Sequence, residues 1–182
     1  MSNYKRNYVP GATFFFTVVT YRRRPILATE LGRKHLREAI ETVRKDRPFT
    51  IDAWVLLPDH LHALWTLPAG DADFSTRWKL IKESFTESYL AAGGTEGHVS
   101  LSRKLKKERG IWQRRFWEHT IDGEDDYIHH FDYLHYNPVK HRLVKRVSDY
   151  PWSTFHRYVK EGLYPANWGE GGIAFPIDVP EP

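Results

Sequence analysis

The chain has 182 residues, 27 Lys and Arg against 23 Asp and Glu, and no cysteine. That length is one domain's worth and can bury a core unaided. The missing thiols exclude disulfides, thiolate metal sites and cysteine nucleophiles, and fit a reducing compartment. No apolar run approaches the roughly 20 residues that span a bilayer, and no signal peptide stands out, so a cytoplasmic protein without membrane attachment is expected.

In chain order, ATFFFTVVTYR (12–22) is aromatic and β-branched and predicts a strand. ELGRKHLREAIETVRKDR (30–47) repeats apolar residues at helical spacing and ends in basic residues before Pro48, which predicts a helix. FTIDAWVLLP (49–58) and HLHALWTLP (60–68) predict two strands joined at Pro58-Asp59. DFSTRWKLIKESFTESYLAA (73–92) predicts a second helix, stopped by Gly93-Gly94, and 95–111 reads as a polar, basic excursion. FWEHTI (116–121) predicts a strand. DDYIHHFDYLHY (125–136) predicts a third helix with acidic residues at its N-terminus, closed by Asn137-Pro138. SDYPWSTFHRYVKEG (148–162) predicts a short capped helix. The order β-α-β-β-α-β matches a ferredoxin-like split βαβ plan. It is an α+β fold, an antiparallel sheet with helices on one face and an extra C-terminal helix. Residues 1–162 would form the domain, and 163–182 a tail that wraps the surface, is loose, or covers the site.

Charge is clustered. Residues 102–115, SRKLKKERGIWQRR, hold seven basic residues and one Glu, and Arg22-Arg23-Arg24 form a second cluster. Basic side chains follow phosphates and aromatic faces stack on unpaired bases, so the interleaving fits single-stranded nucleic acid; a solvated surface with core aromatics is the plainer reading. The candidate contacts are Arg22, Arg23, Arg24, Arg103, Lys104, Lys106, Lys107, Trp112, Arg114 and Arg115.

Alternate strand residues share a face, so His60 and His62 project together with Leu61 opposite, a spacing that can chelate one divalent metal. A structural histidine pair is the bland alternative. No H-E-x-x-H, zinc-finger or phosphate-loop motif accompanies them. Tyr133 and Asn137 lie four apart on one helical face and are candidates to complete a site. From spacing alone, a core aromatic and a turn residue before Pro138 fit them better.

LPDHLHALW (57–65), IWQRRFWEHTI (111–121) and DYLHYNPVKHRLV (132–144), in this order and separation, resemble REP-associated tyrosine transposases, part of the HUH single-tyrosine transposase superfamily. The resemblance runs from Tyr4 to about Trp168. It implies DNA nicking and joining without ATP. His60 and His62 would bind a divalent cation, Mg²⁺ or Mn²⁺, and Tyr133 would attack the phosphodiester to give a 5′-phosphotyrosine and a free 3′-hydroxyl. Asn137 would be the third ligand, where insertion-sequence relatives carry the longer Gln. Tyr136 and Tyr127 are the runner-up nucleophiles. The implied partner is single-stranded DNA folded as hairpins of repetitive extragenic palindromes, in the bacterial nucleoid. The long tail favours a monomer over the helix-exchanged dimers of insertion-sequence relatives. A domesticated binding protein without catalysis, and a plasmid-type relaxase or replication initiator, are the competing readings. A metal hydrolase is the weakest, because the sequence places no carboxylate base near the histidines.

Overall fold

The structure is a computed structural model that describes residues 7–176 and 179. Tyr4, where the resemblance begins, and the end of the tail lie outside the described residues. Four antiparallel strands form one sheet: β1 (Thr13–Val19), β2 (Thr50–Leu56), β3 (His60–Thr66) and β4 (Trp117–Thr120), in spatial order β2-β3-β1-β4. This is the expected split βαβ arrangement.

The central strands β1 and β3 are apolar on both sides because both faces of the sheet are covered. Phe14, Phe16, Val18, Leu61, Ala63 and Trp65 point to one face. There they meet α1 (Glu30–Asp46) and α2 (Phe74–Ala91), which pack on each other. α1 is capped by Thr29, whose side chain accepts from the Gly32 N–H, and α2 by Asp73, which accepts from Thr76 N–H. The Trp65 and Trp78 rings stack 4.1 Å apart at the centre of this layer.

The opposite face carries Phe15, Ala53, Val55 and Leu64, and a further long helix, α4 (Gly123–Lys140), lies across it. The two helices of the first layer therefore share one face, and the additional helix takes the other. Glu124, Asp125 and Asp126 occupy its first turn, where the helix dipole favours negative charge.

Several boundaries differ from the sequence reading. The first strand ends at Val19. Tyr21–Arg23 is a 3₁₀ turn with Arg22 and Arg23 at φ of 55° and 54°, so the arginine cluster sits on a bend at the strand end. The excursion contains a one-turn helix, α3 (Leu101–Leu105). The segment 148–162 resolves into a 3₁₀ turn, Val147–Asp149, and α5 (Phe155–Lys160) without a side-chain cap. The Thr154 hydroxyl is used elsewhere: it accepts from Trp54 N–H at 3.0 Å and pairs with His135 Nε2 at 2.8 Å.

The consequential correction is at Asn137-Pro138, which does not close α4. The helix continues to Lys140, and His141 N–H still reaches the Asn137 carbonyl at 2.9 Å. Proline here removes only one donor near the helix end. Asn137 keeps helical geometry and stays on the Tyr133 face. Tyr164, Trp168 and Phe175 from the tail pack onto the same side as α4, with Val179 buried there. No helix among the described residues is long and apolar enough to cross a membrane.

His135 sits wholly inside this second core between Phe131, Phe155 and Tyr158. Burial pushes its pKa down to about 3. In the unfolded chain it titrates near the ordinary value of about 6.5. Between those values only the unfolded chain takes up the proton, so stability is complete above pH 6.5 and falls as pH drops towards 3. The expected contribution is up to about 1.4 kcal/mol per pH unit. Urea unfolding of wild type and His135→Gln between pH 7 and 4 checks this: the variant should show a shallower slope, and equal slopes refute it.

Candidate active site

β3 carries the histidine pair into the face covered by α4. His60 pairs with Val19 and His62 with Thr17 in the sheet register, and their rings lie 5.1 Å apart. Both residues are buried, at 1% and 0% exposure. Each uses Nδ1 to anchor itself. The Asp59 carboxylate accepts from His60 Nδ1 at 2.7 Å, and Thr17 Oγ1 lies 2.9 Å from His62 Nδ1. A carboxylate only accepts, so His60 is protonated on Nδ1 and its Nε2 lone pair points away from the anchor. Asp59 corrects the sequence reading, which placed no carboxylate near the histidines. It is held in turn by Arg23 at 3.0 Å. Desolvation raises the Asp59 pKa, but hydrogen bonding and charge from His60, with Arg23, outweigh it and leave the carboxyl below its ordinary value.

The result is a set of buried donor atoms with nothing to bond. His60 Nε2, His62 Nε2 and both amide atoms of Asn137 are buried without a hydrogen-bond partner. Buried polar atoms are almost always satisfied. Two imidazole nitrogens and an amide oxygen, oriented by outer hydrogen bonds, have the chemistry of a divalent-cation site. The residues therefore fit a bound metal. Burial first, and then the neighbouring His60, His141 and Lys140 side chains, hold the His62 pKa well below the ordinary range, while the adjacent Asn137 amide acts the other way. His62 is thus neutral and able to offer a lone pair.

α4 delivers Tyr133 to the same place. Its ring is 5.6 Å from His62 and 6.1 Å from Phe15. Lys140, two turns later, donates to the Tyr133 hydroxyl at 2.9 Å. The other two tyrosines of the helix face elsewhere. Tyr136 packs against Trp168 and Phe175, and Tyr127 stacks on Phe131 with its pKa pushed up to about 12 by burial. Tyr133 is itself 3% exposed, with Phe175 of the tail edge-on at 5.6 Å. Sequence reasoning missed Thr17, Asp59, Lys140 and His141, whose ring is 5.0 Å from His60. Asp59 alone left a trace, as the immediate neighbour of the pair.

The basic residues divide into two sets. Arg24 is engaged by the carbonyls of Gly110 and Thr95, and Arg103 and Arg114 both pair with Glu108. Arg22, Lys104, Lys106, Lys107 and Arg115 are exposed. Trp112 is half-buried against Phe85. Between α2 and residues 107–116 runs a groove of about 840 Å³ lined by Lys79, Lys82, Arg109, Trp112, Arg114 and Phe116 among others.

Comparison with known proteins shows the family of the chain. The model of the family described as "Transposase IS200 like" matches residues 9–137. The chain is 52% identical over 169 residues to a REP-associated tyrosine transposase of Escherichia coli (strain K12), covering 92% of this chain and 91% of that protein. A solved structure described as a REP-associated tyrosine transposase bound to a REP hairpin superposes with a TM-score of 0.79 at 48% identity, covering 97% of this chain and 96% of that one.

Proposed function

The chain belongs to the IS200-like transposases, and among them to the REP-associated tyrosine transposases, and on that premise we propose that it is a metal-dependent enzyme that nicks and rejoins single-stranded DNA at REP-like hairpins. Tyr133 is the nucleophile, and His60, His62 and Asn137 hold the cation, Mg²⁺ or Mn²⁺. The observation that carries this reading is the group of unpartnered buried donors on His60, His62 and Asn137 beside the Tyr133 phenol. The solved relative bound to a REP hairpin supports the choice of DNA.

When bound, the cation polarises non-bridging phosphate oxygens and fixes the scissile group for in-line attack. The remaining work falls to the chain. Tyr133 Oη attacks phosphorus and loses its proton. The bond from phosphorus to O3′ breaks, and O3′ leaves and takes up a proton as a hydroxyl. A 5′-phosphotyrosine remains, so the phosphoester is conserved and the reverse attack rejoins a strand. Asp59 and Thr17 hold the two imidazoles in the required orientation. Lys140 balances the negative charge that develops on Oη as it attacks or departs. Because α4 lies on its own sheet, a single chain supplies every member of the site, which supports a monomer. The described part of the tail, 163–176, is a separate covering element on this reading, since Phe175 stands edge-on to Tyr133 and DNA reaches the phenol when it gives way. Exposed Arg22, Lys104, Lys106, Lys107 and Arg115 follow phosphates, and the groove beside Trp112 and Phe116 takes unpaired bases.

The test is to incubate the protein with Mg²⁺ or Mn²⁺ and labelled single-stranded hairpins from the DNA flanking its gene. A covalent protein–DNA band on a denaturing gel is expected. A native-gel shift with no covalent product, over several hairpins and both metals, would instead establish the binding-only reading. In the same assay Lys140→Met is expected to slow cleavage by about 10–100-fold through loss of one charge-stabilising donor. Its hairpin affinity should fall much less. Equal losses in both would make Lys140 a phosphate contact only.

A further inference from the structure

A second cluster of metal-ligating side chains lies on the same sheet face, towards the β4 edge. β4 registers His119 opposite Phe15, so its imidazole points to the α4 side. Asp126 and His130 are four apart on α4 and share a helical face. The three meet: the Asp126 carboxylate lies 2.8 Å from His119 Nε2 through one oxygen and 3.0 Å from His130 Nδ1 through the other. One donor atom from each residue lies within 4.8 Å of the others. The two imidazoles are stacked at 4.5 Å.

We propose that His119, Asp126 and His130 form a second metal site, for a borderline transition ion such as Zn²⁺ or Co²⁺, distinct from the His60–His62 centre. Two imidazoles and one carboxylate are the donor set such ions prefer, and three protein ligands leave a position for water. The pair Asp126–His130 chelates from one helical turn, and β4 closes the site with His119. His130 is buried and fixed against Phe15 at 4.9 Å, whereas the His119 side chain is 37% exposed and gives an ion its path in. Phe15 stands as a wall between the centres, 5.4 Å from His62 on its other flank. Without metal, the Asp126 carboxylate accepts from His119 Nε2 and from Asp122 N–H, both at 2.8 Å, while His130 Nδ1 donates to the Asp126 main-chain carbonyl at 2.9 Å. Metal exchanges the imidazole hydrogen bonds for coordination and ties β4 to the helix that carries Tyr133 one turn beyond His130.

The experiment titrates untagged full-length protein with Co²⁺ and follows its visible d–d absorption, with Zn²⁺ as competitor. His60→Ala/His62→Ala should keep one cobalt equivalent that Zn²⁺ displaces. His119→Ala, at a part-exposed position that the fold tolerates, should weaken that equivalent by at least tenfold, and Asp126→Asn should do the same. The proposal is overturned if His60→Ala/His62→Ala binds no cobalt, or if His119→Ala leaves the second equivalent in place; the trio is then a hydrogen-bonded clamp. Failure of the proposed catalytic centre reads differently: His60→Ala/His62→Ala would then leave the wild-type stoichiometry unchanged, with the His119-dependent ion still bound.

Discussion

Tyr133→Phe is expected to remove covalent capture of DNA entirely and to lower cleavage by on the order of 10³-fold or more, the usual consequence of deleting a nucleophile. The same variant should bind the hairpin within a factor of about two, because phenylalanine retains everything except the hydroxyl. The ring contacts with His62, Phe15 and Phe175 all involve carbon faces and edges. The substitution gives up the hydrogen bond from Lys140 to the hydroxyl, which costs about 1 kcal/mol at a part-buried position. Fold and binding therefore act as internal controls for chemistry. The measurement pairs a denaturing gel for the covalent band with a native gel for affinity. Cleavage at the wild-type rate would move the nucleophile away from Tyr133. Tyr136 and Tyr127 would then be next, although the first is turned towards Trp168 and the second towards Phe131, so either would require α4 to rotate.

How far such a site can be read from the amino-acid sequence depends on whether its parts are local. The strand period alone puts His60 and His62 on one face, and the helical period puts Tyr133 and Asn137 on another. Both pairings hold in the fold. The sheet order follows from the element order, since split βαβ units have few ways to close. What the sequence conceals is non-local. Thr17 reaches His62 only through the β1–β3 register, 45 residues away. Lys140 reaches the phenol only because α4 runs through Pro138, and the rule that proline ends a helix points the other way. His119 is brought to Asp126 and His130 by β4 joining the sheet edge. The basic segment misleads in a different manner. Counting charges cannot tell that Arg24 braces loop carbonyls or that Glu108 takes up both Arg103 and Arg114, while the neighbouring lysines stay in solvent.

The second large effect is expected at the histidine pair, where the order of losses discriminates more than any single loss. His62→Ala should lower metal-dependent cleavage by more than about 100-fold and weaken Mn²⁺ binding in parallel, as removal of a metal ligand beside the reacting phosphate does. Asp59→Asn, which leaves both Nε2 atoms in place while weakening the hold on His60 and the pairing with Arg23, should cost about 10–100-fold, the usual range for groups that orient a ligand. His62→Ala also leaves the Thr17 hydroxyl without its partner and opens space beside Phe15. A stability loss of about 1–3 kcal/mol is therefore expected. A thermal melt distinguishes this from catalytic loss: the variant should remain folded at the assay temperature and still shift the hairpin on a native gel. Raising Mn²⁺ should partly restore Asp59→Asn, whose ligands are intact, and should not restore His62→Ala. If both respond alike to metal, the histidines act by holding the strand and helix in place. If His62→Ala cleaves normally with Mn²⁺ bound, the cation lies elsewhere, and the unpartnered nitrogens of β3 are not its ligands.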